Sequence, residues 1–386
     1  LPRARAEYDR LAAFAAARGQ VEPLDHCDVA YWMEQLRQEE FEVDDEVLTP
    51  YFPLARVLAG MFALAAQLFG IRIEAADGAA ETWHPSVLYF QIRAVEQPGE
   101  PILAHFYLDP YARLGEKRHS AWIDVVVSRS KVLRTDEAGS ARLPVFCLSF
   151  NHAPPVGETP TLIPFREVEY LFLNFGYGLR LALTSAECTT TSGFAGIEWD
   201  AVEVSSQLME NFCYDRATLQ LISSHVETGA QLPDALLDKL VAAKHFMAAS
   251  RLLRQVFFSQ LDMSLHHDLE EITESSILAL QNRLGTKYSV LPLAPYDRHL
   301  CAFNHVFSGG YAAGYYSYLW SEVMSSDAYA SFEDAKTVDA WEATGRRFRD
   351  TMLSLVGMHD PMTVFEMFRG RRPTTDALLR RHGLQP

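Results

Sequence analysis

Several side chains in this sequence have the types needed for acid-base or metal chemistry, and their spacing decides what each can do. His266-His267-Asp268 with Glu270 and Glu271 offers imidazoles and carboxylates, but no third fixed element accompanies it, and such a run reads as a solvated helix end. Glu203, Gln207 and Glu210 fall at i, i+4 and i+7, which on a helix is one polar stripe facing solvent or a cleft. Cys188 stands beside Glu187 and a run of threonines with no nearby histidine to activate it as a nucleophile. His105 lies in a strand-like run and reads as a satisfied structural histidine. Gly309, Gly310 and Gly314 lack the spacing and the following Lys-Ser/Thr of a phosphate loop, and neither a Gly-x-Ser-x-Gly elbow nor a dinucleotide fingerprint occurs.

The elements that must position these residues are bounded by composition. A chain of 386 residues, 48% hydrophobic, can bury a large core. Lys and Arg number 34 against 50 Asp and Glu, a formal charge of -16 that opposes binding to nucleic acid or to an anionic membrane. The five cysteines are scattered, odd in number and without a C-x-x-C pair, so neither a disulfide framework nor a structural zinc site is expected and a reducing, intracellular compartment fits. The most apolar run, Val57 to Ile71, is interrupted by Gln67 and flanked by Arg56 and Arg72. It falls short of the roughly 20 residues of a membrane span and reads as a buried helix. The chain begins at Leu1 rather than Met, which suggests a segment upstream, with an organellar transit peptide (mitochondrion or chloroplast) as one candidate and a cytosolic origin as the other.

Helical periodicity is expected over 4–18, 28–40 and 53–70, with the acidic turn Val43-Asp44-Asp45-Glu46 between the last two. Runs at 87–92, 102–108, 121–127 and 145–150 are rich in β-branched and aromatic residues and predict a four-stranded sheet. From Pro164 onward the pattern is helical again. A helix over 166–184 carries Val168, Leu171, Phe172, Phe175, Leu179 and Leu183 on one stripe, with Leu173, Tyr177 and Leu181 on another, so it should be buried all round. Gly176 and Gly178 each cost such a helix about 1 kcal/mol relative to Ala, a cost that close approach of another backbone would explain. A second helix is expected over 200–214. No repeat or linker marks a boundary, so the reading is one α+β lobe over 1–386, predominantly helical with a small sheet: 1–75 helical, 76–150 sheet, 151–386 helical.

Leu173-Asn174-Phe175-Gly176-Tyr177 and the later run 193–207, Gly-Phe-Ala-Gly-Ile-Glu-Trp-Asp-Ala-Val-Glu-Val-Ser-Ser-Gln, resemble two segments of the thimet oligopeptidase and oligopeptidase A family of zinc endopeptidases. So do Trp83-His84-Pro85, 106–109, 154–157, the run from His305 to Trp320 and the tail from Phe368 to Leu379, and the likeness extends from about Asp28 to the end. The resemblance implies a zincin-like catalytic lobe. It also implies that the family's His-Glu-Phe-Gly-His would fall at 173–177 and its third zinc ligand at Glu203. Members of that family carry a further N-terminal helical region, one wall of a substrate channel, which is not expected in this chain.

In the implied site two imidazoles one turn apart hold Zn²⁺ and the intervening glutamate deprotonates its water. Here Leu173 has no donor atom, Tyr177 would ligate only as a phenolate, and Asn174 cannot accept a proton at neutral pH. Zinc is therefore expected to be absent, Glu203 becomes an orphan carboxylate with Tyr177 as its candidate donor, and Leu173 and Tyr177 are expected to fill the space as core. By the same resemblance His305, Tyr311, Tyr315 and Tyr318 belong to a segment that closes over bound peptide. The expectation drawn is a catalytically inactive homologue, a pseudopeptidase, acting as a structural or accessory subunit among other protein subunits. The alternatives are peptide binding without hydrolysis and, remotely, an active oligopeptidase with an atypical site.

Overall fold

The computed structural model describes residues 1–42, 44–133, 140–194 and 196–385. Val43 of the expected acidic turn and Ala195 of the 193–207 run lie outside the described residues. In chain order the elements begin with α1 (Pro2–Ala16), α2 (His26–Phe41), α3 (Asp45–Leu48) and α4 (Leu54–Phe69). The strands β1 (Ile71–Ala75), β2 (Leu88–Ala94), β3 (Ile102–Tyr111), β4 (Trp122–Val127) and β5 (Val145–His152) follow. Then come α5 (Phe165–Leu183), α6 (Val204–Phe212), α7 (Arg216–Ile222), α8 (Asp234–Ala243), α9 (Ala248–Met263) and α10 (Glu274–Tyr288). The chain continues through the short α11 (His299–Ala302) and α12 (Asn304–Phe307) to α13 (Ser317–Asp334), α14 (Val338–Phe348), α15 (Pro361–Arg369) and α16 (Asp376–Arg381). The fold is predominantly α with a small mixed sheet, as the periodicity predicts.

Where the sequence suggested one lobe, the chain gathers into two compact units: Leu1–Asp44 with Asp238–Glu322 and Thr375–Pro386, and Asp45–Leu237 with Val323–Thr374. Each is assembled from separated stretches. No composition break can mark such a boundary, because the chain passes between units inside otherwise ordinary sequence.

The unit containing residues 45–237 and 323–374 is built on the sheet, in the order β1-β2-β3-β5-β4, with β3 and β5 parallel and the other pairs antiparallel. The sheet has five strands where four were expected. β1 is short and follows α4 directly through Gly70, whose φ of 62° turns the chain, so Ile71 reads in the sequence as the end of the apolar helix. Pairing Phe90 with Phe106 and Phe106 with Phe146 stacks three rings across β2, β3 and β5, with centroids 4.9 and 5.2 Å apart. Phe62 of α4 meets Phe90, Phe106 and Phe175, which brings α4, the sheet and α5 to one core. Such aromatic pairs add about 0.5–1.5 kcal/mol each beyond the area they bury.

The other unit packs α1 on α2 around Leu11, Leu24, Leu36 and Phe246. Glu7 of α1 accepts from the backbone N–H groups of Ala249 and Ser250, at 2.9 and 2.8 Å, at the start of α9. A carboxylate there meets the positive end of the helix dipole. A second apolar cluster joins α9, α10 and the segment 300–315 through Phe257, Phe258, Leu261, Leu284, Phe303 and Tyr315.

Candidate functional site

α5 and α6 lie close because Gly176 lets them. A Cβ at Gly176 would fall 2.4 Å from the Ser205 carbonyl oxygen, and one at Gly178 would fall 2.6 Å from the Phe146 ring. The expected backbone approach is therefore present at Gly176, where it sets the distance between the two segments that carry the candidate residues, whereas Gly178 meets a side chain instead. The second helix is shorter than expected: a 3₁₀ turn, Trp199–Ala201, precedes α6, and Glu203 stands at the N-cap of α6 rather than within a helix over 200–214.

Asn174 is buried, and its Nδ2 donates to the Tyr170 carbonyl at 2.8 Å, a bond along its own helix. Leu173 and Tyr177 are half-buried rather than core, one turn apart on one face of α5. The Tyr177 hydroxyl donates to the Glu203 carboxylate, which also accepts from Ser206 Oγ at 3.1 Å. The pairing of Tyr177 with Glu203 is the one the sequence suggested. Gln207, next on the polar stripe, accepts from Ser325 Oγ at 3.1 Å. These residues do not fit a zinc ion: one position has no donor atom, one spends its amide on the backbone, and the phenol points its proton at the carboxylate. Among the described residues no group of three or more His, Cys, Asp or Glu is placed to hold a metal.

Sequence reasoning missed Arg180. It follows Tyr177 by three residues, on the neighbouring part of α5, and is almost wholly buried. Its Nη1 donates to the Val202 carbonyl at 3.2 Å, and its guanidinium carbon lies 4.9 Å from the centroid of the Phe194 ring, which packs edge-on to Tyr177. Nε and Nη2 have no hydrogen-bond partner among the described residues. Burial pushes its pKa down to about 10, against the opposing pull of Tyr177 and Glu203, so it remains a cation at neutral pH. An arginine inside an otherwise apolar helix turn was the available signal.

The second candidate group lies in the other unit. His305, Tyr311, Tyr315 and Tyr318 come together: the His305 ring is 5.9, 6.0 and 6.2 Å from those of Tyr311, Tyr315 and Tyr318, and Tyr311 stacks on Tyr318 at 4.9 Å. Asp262 holds the turn that makes this possible. Fully buried at the end of α9, it accepts from the backbone N–H groups of Ala313, at 3.0 Å, and Tyr315, at 2.9 Å, and it pairs with His266. Ala313 itself sits at a φ of 53°. Tyr315 is buried, and burial raises its pKa while Arg254 and a hydrogen bond with Gln255 pull the other way. His305 is exposed, and Tyr311 and Tyr318 are half-buried. His267, by contrast, is exposed and pairs with its neighbour Asp268 in a π-helical turn, the solvated helix end that was expected. The expectation for His105 needs correction: its ring stacks on Tyr89, but Nδ1 is buried with no partner among the described residues, and burial lowers its pKa, followed by the Arg93 charge.

The sequence pattern of peptidase family M3 matches residues 1–384. The chain belongs to that family. It is similar to the Arabidopsis thaliana organellar oligopeptidase A, chloroplastic/mitochondrial, at 46% identity over 98% of this chain and 48% of that protein. It is similar also to oligopeptidase A of Salmonella typhimurium, at 39% over 100% of this chain and 55% of that protein, and to saccharolysin of Saccharomyces cerevisiae, at 29% over 93% and 50%. The chain spans about half the length of these curated relatives.

Membership in the M3 family overturns one expectation. An inactive homologue serving as a structural or accessory subunit is not what a chain with this likeness represents, since relatives 39 and 46% identical over nearly all of it are named oligopeptidases. The expectation leaned on a few positions in one motif. The missing donor atom at Leu173 and the missing proton acceptor at Asn174 speak to chemistry at those positions and say nothing about a change to a subunit's role.

The other family-like segments form structural nodes. Trp83 donates to Asp109 at 3.0 Å, joining two segments that are separate in sequence, while Arg113 binds Asp109 through two 2.7 Å bonds and Lys117 lies 3.0 Å away. In the tail, Arg369, Arg371 and the Thr374 N–H converge on the buried Asp327 at 3.0, 2.6 and 2.9 Å. No described helix is long and apolar enough to cross a membrane.

Proposed function

We propose that this chain recognises oligopeptides through the His305, Tyr311, Tyr315 and Tyr318 cluster, and that it takes no zinc at 173–177 and Glu203. The observation that carries the reading is the convergence of four side chains, spread over fourteen positions, into one aromatic group fixed by the buried Asp262. Aromatic rings with hydroxyl and imidazole tips suit an extended peptide: the faces cover apolar side chains and the tips meet the backbone carbonyls. The names of the relatives, oligopeptidases, support peptides as the ligand class. The charge of -16 supports neither nucleic acid nor an anionic membrane as partner. Five cysteines, none of them in a disulfide, suit a reducing compartment inside the cell.

The test is fluorescence anisotropy with labelled peptides of about ten residues, with and without chelator, alongside metal analysis of the purified chain. Saturable binding that chelation leaves unchanged, in protein without stoichiometric zinc, is the expected result. Stoichiometric zinc would sink the metal half of the reading, and absence of saturable binding the peptide half.

A further inference from the structure

Arg254 stands on α9, one helical turn before Phe258, and is exposed. Its guanidinium carbon lies 4.9 Å from the centroid of the Phe258 ring. That ring in turn meets Tyr315 edge-on at 5.8 Å and stacks on His299 at 4.7 Å, so one phenylalanine sets the arginine beside the His305 cluster, within a single unit of the chain. Arg254 has no hydrogen bond and no carboxylate partner among the described residues, although 50 acidic residues face 34 basic ones in the chain. Asp297, the acid nearest in sequence to His299, accepts from Gln281 Nε2 and from the His299 N–H at 3.0 and 2.8 Å. His299 Nε2 is buried and also lacks a partner among the described residues. Burial lowers the His299 pKa, the Arg254 charge adds to this, and Asp297 opposes it, so the imidazole is neutral at pH 7. Arg254 is thus a cation held against a ring, with its N–H donors unspent on the chain.

We propose that Arg254 makes the aromatic cluster selective for peptides that bear a carboxylate, which the guanidinium takes as a pair of hydrogen bonds beside Tyr315. This rests on the reading that the cluster recognises peptides. A planar guanidinium matches a carboxylate with two parallel N–H···O bonds, and contact with an aromatic face restrains the long side chain in advance, which lowers the entropy cost of pairing. The charge of -16 repels an anionic ligand from the molecule at large, so attraction at one arginine acts as selection. The carboxylate has two sources, the C-terminus of the peptide or an Asp or Glu side chain, and the chemistry at Arg254 is the same for both.

The anisotropy assay on the whole chain tests this with one neutral peptide sequence, labelled at its N-terminus, in three forms: with a free C-terminal acid, with a C-terminal amide, and amidated with one internal Glu. At least one carboxylate-bearing form should bind the parent about tenfold more tightly than the neutral amide. An advantage of the free acid assigns the C-terminus, and an advantage of the Glu peptide assigns the side chain. Arg254→Met keeps an apolar contact with Phe258 and should abolish the advantage while leaving the Tm and the affinity for the neutral amide unchanged; Arg254→Lys, which keeps the charge, should retain part of it. Equal binding of the three forms by the parent would overturn the proposal. So would an Arg254→Met chain that keeps the advantage, or one that loses affinity for all three forms alike. Absence of saturable binding of any form defeats the peptide reading and the proposal with it, whereas saturable binding indifferent to the carboxylate defeats the role of Arg254 alone.

Discussion

The Glu203 node and the His305 cluster are the two regions that the sequence marks as chemically capable, and they have taken opposite forms. Around Glu203 each polar group is turned inward: Tyr177 and Ser206 on the carboxylate, Asn174 on its own helix, Arg180 on Val202. In the His305 cluster the polar work is done beneath the rings by Asp262, and His305 remains exposed with Tyr311 and Tyr318 half-buried. The first region closes its polar groups on one another, and the second leaves His305 exposed with Tyr311 and Tyr318 partly open to solvent. The difference teaches that the packing of two helices and the disposition of the polar groups they carry are separate matters, since Gly176 brings α5 against α6 while Tyr177 and Ser206 turn their hydroxyls on Glu203.

The contrast breaks most sharply at Gly176. Gly176→Val places a branched side chain where even a Cβ is 2.4 Å from the Ser205 carbonyl, and backbone cannot move aside as a side chain can. A loss of about 3 kcal/mol or more is expected, read by urea unfolding. Gly178→Ala meets the edge of the Phe146 ring instead and should lose less. Equal losses at the two positions would show that the α5–α6 contact is not what fixes the node.

A smaller effect tests whether the node is truly closed on itself. Tyr177→Phe removes one donor from a buried carboxylate without changing the shape of the ring, and a loss of about 1–3 kcal/mol is expected. Unchanged stability would mean that the carboxylate draws its support elsewhere.

Legibility differs between the two regions for physical reasons. The helix around Gly176, its close neighbour and the Tyr177–Glu203 bond were readable because apolar period, glycine placement and an orphan carboxylate each constrain what must lie opposite. The role of Arg180 was not readable, since its meaning depends on Val202, Phe194 and Glu203, all of which arrive from a distant segment. β1 was lost because Gly70 turns the chain within the apolar run from Val57 to Ile71, so that Ile71 reads as the end of the helix. The two units were hidden by their interleaved stretches. For the His305 cluster the residue types were apparent, but Asp262, about fifty residues earlier, was not identifiable as the anchor of the turn.

Acid should weaken the buried node that Asp109 forms with Trp83, Arg113 and Lys117. Burial alone would raise the pKa of Asp109, but hydrogen bonds from Arg113, Trp83 and Lys117 outweigh it and bring the value down to about 2 from the ordinary 3.8. A depressed carboxylate contributes stability that is present above its unfolded pKa and is lost as pH falls through its folded value. The Tm of the parent should therefore fall between about pH 4 and pH 2, and Asp109→Asn should be less stable at pH 7 yet converge on the parent near pH 2. Parallel Tm curves for the two proteins across this window would remove Asp109 from the account.

The smallest structural effect, and the one that most directly opposes the two regions, is expected at Tyr311. Its ring stacks on Tyr318 and lies beside His305, but it is half-buried and stands outside the apolar cluster that holds Phe258, Phe303 and Tyr315. Truncating it removes a stacking surface while leaving Asp262 and its two backbone bonds in place. Tyr311→Ala should thus cost under about 1 kcal/mol in stability yet weaken peptide binding about tenfold, or roughly 1.4 kcal/mol, in the same anisotropy assay. Tyr177→Phe should show the reverse pattern, a clear loss of stability with peptide affinity unchanged. If both variants moved stability and affinity together, the separation between a closed core and an open recognition surface would fail, and the aromatic segment would have to be read as packing alone.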